Sequence, residues 1–585
     1  MKSFFKIFFA ALLALVVFVG IGMLLLFAVV GSVASSEKPT IAEKSVLFID
    51  LSQSLKDRKT DNTLAKLTGD PDIISSSLYD VVRLLQHAKS DSLIKGLYIK
   101  CNDNVNGFAA SEELRNAILD FKSSKKFVIA YGDVISQKAY FVASVADKVY
   151  CNPKGMLDWK GFGSQLFFIK NTLKKLEIEP QIFYDGKFKS ATEPLREEKM
   201  TDANRLQTTV WLGDIYQRFL LGVAEARSLD TATLHRYANE FMIQTANDGV
   251  KYQLLDGVKY DDEVKADVRK RLGTKENDKI AFVPIGSYAE ATQLNKYAAD
   301  RVAVIYAEGD IVYGKGKEGQ VGSDEFRKLL VKARTDKNIK AIVLRVNSPG
   351  GDALASEIIW RETKLAREAG KPLVVSMGDL AASGGYYISC GADSIFAQPN
   401  TITGSIGVFG IIPNLQDFFR NKLGVTFDQV KTAPYADLGT AVRPLTTGEK
   451  QIIQASIDTI YHDFKSRVAE GRKKDIQLVD SIAQGRVWTG ARAMQIGLVD
   501  RLGGLNDAIR CAAGMAKLEK YSLREFPEPA SFWDLLKGGY DKTVKSNAIK
   551  EELGSSNYSL YEQIQRIRQM VGTAQTRLPY EIVIE

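Results

Sequence analysis

Apolar runs rich in β-branched residues alternate with amphipathic stretches along most of the chain. In the second half, the runs at 301–309, 340–346 and 371–378 predict buried strands, and the stretch at 323–336 predicts a helix. Repeated strand–helix alternation is typical of βα units that build a largely parallel sheet. The hydrophobic pattern therefore predicts an α/β fold.

Two glycine-rich segments follow neighbouring strands of this pattern. NSPGGD at 347–352 predicts a loop whose Asp352 caps a helix beginning near Ala353. The second segment contains Ser383, and GGYYISCGAD directly after it reads as a helix start. Loops after parallel strands meet at the carboxyl end of the sheet, where ligands of open α/β folds bind. We therefore expect the two segments to lie side by side.

The same pattern occurs twice along the chain. IKGLYIKCNDNVNGFAASEEL, beginning at Ile94, aligns without gaps with IKAIVLRVNSPGGDALASEII, beginning at Ile339. Downstream, GDVISQKAYFVASVADKVYCNP from Gly132 aligns with GDLAASGGYYISCGADSIFAQP from Gly378. Self-similarity over so long a frame indicates a tandem duplication of one domain.

The repeats and their flanks divide the chain into predicted regions. These are an anchor region at 1–35, a first repeat at 36–275, a second repeat at 276–520 and a helical tail at 521–585. Apolar residues recur at helical spacing in the tail and predict a packing helix there. They are Leu560, Ile564, Ile567 and Val571.

An uncharged, mainly apolar run at about 7–30 follows Lys2 and Lys6. The run is long enough to cross a bilayer as one helix. Because flanking lysines stay on the cytoplasmic side, the body of the chain is expected on the far side of the membrane. Ser32 and Ala34 imitate a small-residue cleavage site, so a removed signal peptide is the alternative, although its apolar core is usually shorter.

Composition narrows the function classes. The 585 residues are 45% hydrophobic and 25% charged, as in a globular protein, and the net charge of +8 is spread without a basic block. Nucleic-acid binding is therefore not expected. The cysteines lack CxxC spacing, which predicts reduced, buried thiols and neither a zinc site nor a disulfide framework. They are Cys101, Cys151, Cys390 and Cys511.

The histidines fall in helix-like segments at uncorrelated positions. They are His87, His235 and His462. Such a set supplies neither a metal centre nor a Ser-His-Asp triad, so no metal or cofactor is expected.

Ser383 is nevertheless a candidate nucleophile. The N–H groups of Gly350 and Gly351 in one segment, and of Gly384 in the other, can converge on one point as an oxyanion hole, because glycine has no Cβ to block the approach. The alternative is structural, with Ser383 only capping a helix and the glycines serving as packing points. The paired NSPGG segment favours the catalytic interpretation.

The two repeats differ where catalytic groups are expected. The first repeat has Gln137 at the position of Ser383 and Asn104-Val105-Asn106 at the position of Pro349-Gly350-Gly351, so it lacks the nucleophile and the hole. It carries Lys189 among small and apolar residues in YDGKFKSATEP, whereas the corresponding KTAPYADLGTA of the second repeat has alanine at or beside that point. The first repeat lacks the serine and the glycines, and the second lacks the lysine. This reciprocal loss suggests that each repeat supplies the group that the other lacks.

The sequence resembles peptidase family S49, the signal peptide peptidase A family, in its long two-domain bacterial form. The resemblance rests on the anchor, the duplication, KSATEP, NSPGG, DLAASGGYYIS and TGSIGVFG at 403–410, and covers nearly the whole chain after the anchor. It implies tandem crotonase- or ClpP-like domains. In that family the serine of SGGYY and the lysine of KSA form the catalytic pair, here Ser383 and Lys189. The serine of GSIG, here Ser405, is thought to orient the lysine.

The resemblance also implies a biological setting. A membrane-anchored serine endopeptidase is expected to degrade hydrophobic peptides, such as cleaved signal peptides, in or near the membrane. The family implies a homo-oligomer, with a tetramer expected, in the bacterial inner membrane with its body on the periplasmic side. It implies no cofactor and no metal.

The chemistry requires an uncharged amine. Lys189 can act as a general base only if burial lowers its pKa from the ordinary value near 10.4. The alternative is a solvated surface lysine, and Lys187 is the natural control. Two other functions stay open, an acyl-CoA enzyme of the crotonase type and an inactive membrane-tethered scaffold.

Overall fold

The computed structural model describes residues 2–34, 39–58, 76–292, 294, 297–317, 319–528 and 570–578. Helix α1, Lys2–Ala34, contains the predicted apolar run. Its segment Phe4–Gly22 has a mean hydropathy of 2.7 and is unburied by the rest of the chain, so it is long and apolar enough to cross a membrane.

The first half forms a parallel sheet. Its strands, together with one that leaves this sheet, are β1 Ser45–Asp50, β2 Ile94–Lys100, β3 Phe127–Ile135, β4 Lys148–Leu157, β5 Glu179–Asp185, β6 Gly257–Val258 and β7 Phe282–Pro284. Within the described residues the sheet order is β6-β4-β3-β2-β1-β7, and every neighbouring pair is parallel. β5 is the strand that lies elsewhere.

Helices connect the strands of the first half, and the last of them follows β7. They are α2 Leu78–Ala88, α3 Phe108–Lys122, α4 Gln137–Ala143, α5 Lys170–Lys175, α6 Glu193–Arg196, α7 Asp202–Arg227, α8 Thr231–Asn239, α9 Ala246–Lys251, α10 Asp261–Leu272 and α11 Ile285–Ala291. A short 3₁₀ turn, Ser190–Thr192, precedes α6.

The second half repeats this plan with more strands. They are β8 Arg301–Glu308, β9 Asp310–Val312, β10 Gln320–Gly322, β11 Ile339–Ser348, β12 Gly350–Asp352, β13 Leu373–Ala382, β14 Ser394–Ala397, β15 Ile402–Gly404, β16 Val408–Asn414, β17 Val487–Thr489, β18 Arg501–Leu502, β19 Ser522–Phe526 and β20 Gln575–Arg577. The helices are α12 Ser323–Thr335, α13 Ala353–Glu368, α14 Gly384–Tyr387, α15 Thr447–Arg472, α16 Ile476–Ile482, α17 Gly490–Gln495 and α18 Leu505–Met515, with a π turn at Phe418–Leu423.

The main sheet of the second half has the order β17-β15-β13-β11-β8-β19, with β14 and β18 branching from β13. β11 lies parallel between β8 and β13, as β2 lies parallel between β1 and β3. The helices follow equivalent strands, α3 after β2 and α13 after β11. The duplication seen in the sequence is thus repeated in the topology, and the predicted α/β fold is confirmed.

A third sheet joins the two halves. Its order is β10-β9-β12-β20-β16-β5, so it pairs β5 of the first half with β16 of the second and includes β20, which lies far downstream. Its strands are short and lie far apart in the chain, so no local pattern specifies which of them pair. It is the element that carries first-half residues to the second half.

Most local predictions are confirmed. Asp352 caps α13 by accepting the Ala355 N–H at 2.8 Å, and the histidines lie in α2, α8 and α15. The predicted NSPGGD loop differs, since its Gly350–Asp352 part is a short strand, β12, which pairs with β20. In the tail, Leu560, Ile564 and Ile567 lie outside the described residues, and Val571 forms an isolated bridge with Ile411.

All four cysteines are free thiols. Cys101, Cys151 and Cys390 are buried as predicted, and burial raises the pKa of Cys151 to about 11 and of Cys390 to about 12. Cys511 is only half-buried, which corrects the prediction for that residue. Its place on α18 leaves it beside the core rather than in it.

Candidate active site

Ser383 stands at the turn between β13 and α14. Its backbone has φ 55° and ψ −114°, a combination that residues other than glycine rarely adopt. The Ser383 N–H donates to the Gly404 carbonyl at 2.7 Å, and its carbonyl accepts the Tyr387 N–H at 2.8 Å, so the turn is held from both sides. The side chain makes no helix-cap hydrogen bond. The hydroxyl is therefore available for another role.

Lys189 reaches the second half because β5 pairs antiparallel with β16, ending with Asp185 opposite Val408. Gly186, at φ 115°, then turns the chain, and the Lys189 N–H donates to the Gly186 carbonyl at 3.0 Å. This turn brings the lysine to Ser383 and Ser405 of the second half.

The Nζ atom of Lys189 has oxygen neighbours from two serines. It lies 2.9 Å from Ser383 Oγ, 3.1 Å from the Ser405 carbonyl oxygen and 3.2 Å from Ser405 Oγ. All three residues are at most 1% exposed. A neutral amine has two N–H donors and one lone pair. If both donors bind the oxygens of Ser405, the lone pair faces the hydroxyl of Ser383.

Burial controls the charge of this amine. It lowers the pKa of Lys189 well below the ordinary value, because the site removes the ammonium group from water. The three contacts of Nζ are with neutral oxygens, which compensate little of the lost hydration. The uncharged amine, the form that can accept a proton, is therefore favoured.

The two glycine-rich segments lie side by side, as expected. A Cβ placed on Gly350 would lie only 2.6 Å from the Gly384 nitrogen, and Gly350 has φ 95°, where a side chain is strained. Gly351 lies one residue further along β12 and pairs with Thr576 of β20. The structure thus brings Gly350 and Gly384 into contact beside Ser383.

The equivalent place in the first half is filled by an amide. Gln137 Nε2 donates to the Gly161 carbonyl at 2.9 Å, and Gln137 Oε1 accepts the Gly161 N–H at 3.0 Å. Asn104 and Asn106 bind each other nearby at 3.0 Å. In the first half, side-chain amides thus form hydrogen bonds between loops at the positions where the second half has the Ser383 hydroxyl and the glycines. The first half therefore has a structural network at this place.

Sequence reasoning named the Ser405 hydroxyl but missed other parts of the site. It missed the Ser405 carbonyl, which contacts Lys189, and the Gly404 carbonyl, which accepts the Ser383 N–H. It also missed Gly485, whose added Cβ would lie 2.7 Å from the Lys189 Cβ. The absence of a side chain there lets the backbone close over the lysine and exclude water. The TGSIG motif marks the first two positions, whereas nothing in the local pattern marks Gly485.

Known proteins match this chain over most of its length. The profile of peptidase family S49 matches residues 120–275 and again 365–519, which confirms the tandem duplication. Protease 4 of Salmonella typhi is 33% identical over 549 residues, covering 91% of this chain and 87% of that protein. The chloroplastic serine protease SPPA of Arabidopsis thaliana is 33% identical over 481 residues, covering 78% of this chain and 70% of that protein.

Among solved structures, a mutant of the 1510-N membrane-bound stomatin-specific protease covers 40% of this chain and 100% of its own, with 18% identity and a TM-score of 0.26.

Proposed function

Because this chain belongs to peptidase family S49 and is a serine protease, we propose that Ser383 is its nucleophile and Lys189 its general base. The observation that carries the proposal is the 2.9 Å separation of Lys189 Nζ and Ser383 Oγ in a buried site. The strained backbone of Ser383 supports it, since such conformations cluster at catalytic positions.

The proposed reaction proceeds in two halves. Ser383 Oγ attacks the carbonyl carbon of a peptide bond while its proton passes to the neutral Nζ of Lys189. The resulting ammonium donates that proton to the leaving amine as the C–N bond breaks. Lys189 then activates a water molecule that hydrolyses the acyl-enzyme. Ser405 orients the amine through its carbonyl and hydroxyl oxygens, so it is a positioning residue.

The oxyanion hole is assigned to the N–H groups of Gly350, Gly351 and Gly384, as the sequence predicts. The proximity of Gly350 to the Gly384 nitrogen supports the assignment, although the Gly350 N–H donates to Ser348 Oγ at 3.2 Å and must exchange that partner for the oxyanion. Developing negative charge on the carbonyl oxygen would be stabilised there by these donors.

Gly350→Ala is expected to lower kcat by about 10²–10³-fold, because it keeps the N–H but displaces the backbone that aims it, with an effect like that of losing one such donor. The new Cβ is strained at φ 95° and intrudes 2.6 Å from the Gly384 nitrogen. The measurement is hydrolysis of an apolar peptide ester by the full chain in detergent micelles. Gly514→Ala on α18, where a Cβ meets nothing within 4 Å, is the matched control with wild-type kcat. Wild-type kcat in the Gly350 variant would contradict the assignment.

A serine-directed fluorophosphonate is expected to label Ser383, at a rate that rises with pH through the lowered pKa of Lys189 and then levels off. The sign follows from the base, because only the neutral amine accepts the serine proton and it predominates above that pKa. A lysine in water would delay the rise to about pH 10. The readout is the labelling rate of the intact protein against pH.

Absence of label on Ser383 would reject it as the nucleophile. A rate that increases only near pH 10 would reject Lys189 as a base of lowered pKa.

The substrates, location and assembly are also proposed. The apolar helix α1 supports a single-pass anchor with the body outside the cytoplasm, and the lysines at its start favour that orientation. A protease tethered this way meets hydrophobic peptides at the membrane surface, including cleaved signal peptides. We further assign a homo-oligomer, a tetramer, following the family resemblance.

A further inference from the structure

The backbone at Lys189 forms a tight turn. Lys189 has φ −75° and ψ 77°, and the Ser190 N–H donates to the Phe188 carbonyl at 2.8 Å. These angles and this hydrogen bond are those of an inverse γ-turn. A turn of three residues needs outside contacts to fix its position. One of them is the hydrogen bond from the Phe188 N–H to the Gln484 carbonyl at 2.7 Å, and others come from a side chain of α7.

Gln207 is the side chain of α7 that reaches this turn, and it is buried. Its Nε2 atom donates to the Phe188 carbonyl at 3.0 Å and to Ser190 Oγ at 2.9 Å. A longer contact of Nε2 with Asn204 Oδ1, at 3.3 Å, shares one of the two N–H groups. The amide therefore binds the residues immediately before and after Lys189.

The oxygen of the same amide binds the second half of the chain. Gln207 Oε1 accepts the Val487 N–H of β17 at 3.2 Å. Val487 is paired with Gly404 of β15, whose carbonyl accepts the Ser383 N–H at 2.7 Å. One buried amide thus connects the turn that carries the candidate base with the strand pair that holds the candidate nucleophile.

Gln207 is itself held at the start of α7. Thr201 caps this helix by accepting the Asn204 N–H. The buried Glu193 carboxylate accepts hydrogen bonds from Thr201 Oγ1 at 2.6 Å and from Asn204 Nδ2 at 2.8 Å. The chain from Lys189 to Gln207 is therefore closed into a hydrogen-bonded loop, which fixes the amide relative to the turn.

We propose that Gln207 is a positioning residue, which sets the distance between Lys189 Nζ and Ser383 Oγ by binding both halves of the site with one amide. It takes up no proton itself and acts through Lys189. The proposal rests on Ser383 and Lys189 being the catalytic pair. Its expected size follows from geometry, because a displacement of about 1 Å at a reacting group can cost about 10²-fold in rate.

Gln207→Met tests the proposal, because methionine fills nearly the same space but has no N–H to donate to the turn. The assay is hydrolysis of an apolar peptide ester by the full chain in micelles. We expect kcat to fall about 10²-fold while KM stays within about twofold, because the base is displaced and the substrate contacts are kept. A residue that only stabilises the fold would lower the melting temperature but not kcat per folded chain. Wild-type kcat per folded chain, or a loss that appears in KM instead, overturns the proposal.

Gln207→Asn is a second variant that keeps a polar amide and puts the fold at less risk. Its side chain is one methylene shorter, so it cannot reach the turn and Val487 together. We expect kcat to fall at least about tenfold. Wild-type kcat in this variant overturns the proposal even if Gln207→Met fails to fold.

Gln454→Met is the matched control for both variants. Gln454 on α15 also contacts the other half, since its Nε2 donates to the Tyr184 carbonyl at 3.4 Å. Its amide binds β5 and not the turn at Lys189. This variant is expected to keep the wild-type kcat.

A double variant separates positioning of the base from a general structural role. Adding Gln207→Met to Lys189→Ala is expected to leave the residual rate unchanged within about twofold, because the distance that Gln207 sets no longer matters once the amine is gone. A structural role would lower the residual rate by the same factor as in the wild-type background. That additive loss overturns the proposal.

The two levels of the proposal fail differently. If Lys189→Ala alone hydrolyses the ester at the wild-type rate, the assigned base is wrong. If Lys189→Ala is inactive but both Gln207 variants keep the wild-type kcat, only the inference about Gln207 is wrong.

Discussion

Ser383→Ala and Lys189→Ala are each expected to lower kcat for an apolar peptide ester by at least about 10⁴-fold. The first variant removes the nucleophile and the second removes the group that accepts its proton, and such members of one catalytic unit cause losses of this size singly. Combining the two substitutions is expected to cost little more than either alone, because neither residue works without the other. The readout is hydrolysis by the full chain, with folding checked by circular dichroism.

Lys187→Ala is the matched control for this prediction. Lys187 lies two residues before Lys189 but is exposed, and its Nζ stands 5.9 Å from the centre of the Phe188 ring instead of contacting Ser383. Its loss is expected to leave kcat unchanged. Substantial hydrolysis by Lys189→Ala would show that another group serves as the base.

The parts of this structure that follow local patterns could be predicted from the sequence. Alternating apolar runs predict β8, β11 and β13, and a polar residue before an amphipathic stretch predicts the cap of α13. The two glycine-rich segments lie side by side because parallel strands place their carboxyl ends at one edge. Each of these inferences needs only neighbours in sequence or a general rule of topology.

Contacts between distant segments could not be predicted this way. Lys189 and Ser383 are 194 residues apart and meet only because β5 crosses into the third sheet. The lysine itself was recognisable from the comparison of the repeats and the family motif. The closure of Gly485 over Lys189 and the pairing of β20 with β12 had no such marker, since nothing in a short polar strand specifies its partner.

A second feature of this kind is Arg345, which interrupts the apolar run of β11. A charged residue is unusual in a buried strand, yet its side chain is only 2% exposed. Its guanidinium contacts Asp57 at 2.8 Å and Glu113 at 2.9 Å, both from the first half, and donates to Ser376 at 2.9 Å. Burial alone would lower the pKa of Arg345, but the two carboxylates raise it. The arginine thus links the two halves through a buried ion-pair network.

Arg345→Met is expected to lower the free energy of unfolding by about 3–5 kcal/mol, the cost of leaving buried charge without its partner. The methionine fills much of the space but leaves the carboxylates of Asp57 and Glu113 facing each other away from water. Burial already raises the pKa of Glu113, and Arg345 opposes that rise. Without the arginine the carboxyl protonates more readily, so the loss of stability is expected to shrink as pH falls. Denaturant unfolding at several pH values measures both effects.

Arg492→Met is the control for this prediction. It tests whether the loss of stability in Arg345→Met comes from the burial of the ion pair or simply from the loss of a contact between the two halves. Arg492 also joins the halves, contacting Asp214 at 2.8 Å, but its side chain is 44% exposed. Water solvates both charges after the substitution, so the expected cost is about 0–1 kcal/mol. Equal losses in the two variants would mean that the buried carboxylates near Arg345 find other partners. A much larger loss for Arg345→Met shows that the burial of the carboxylates, and not the bridging of the halves as such, sets the cost.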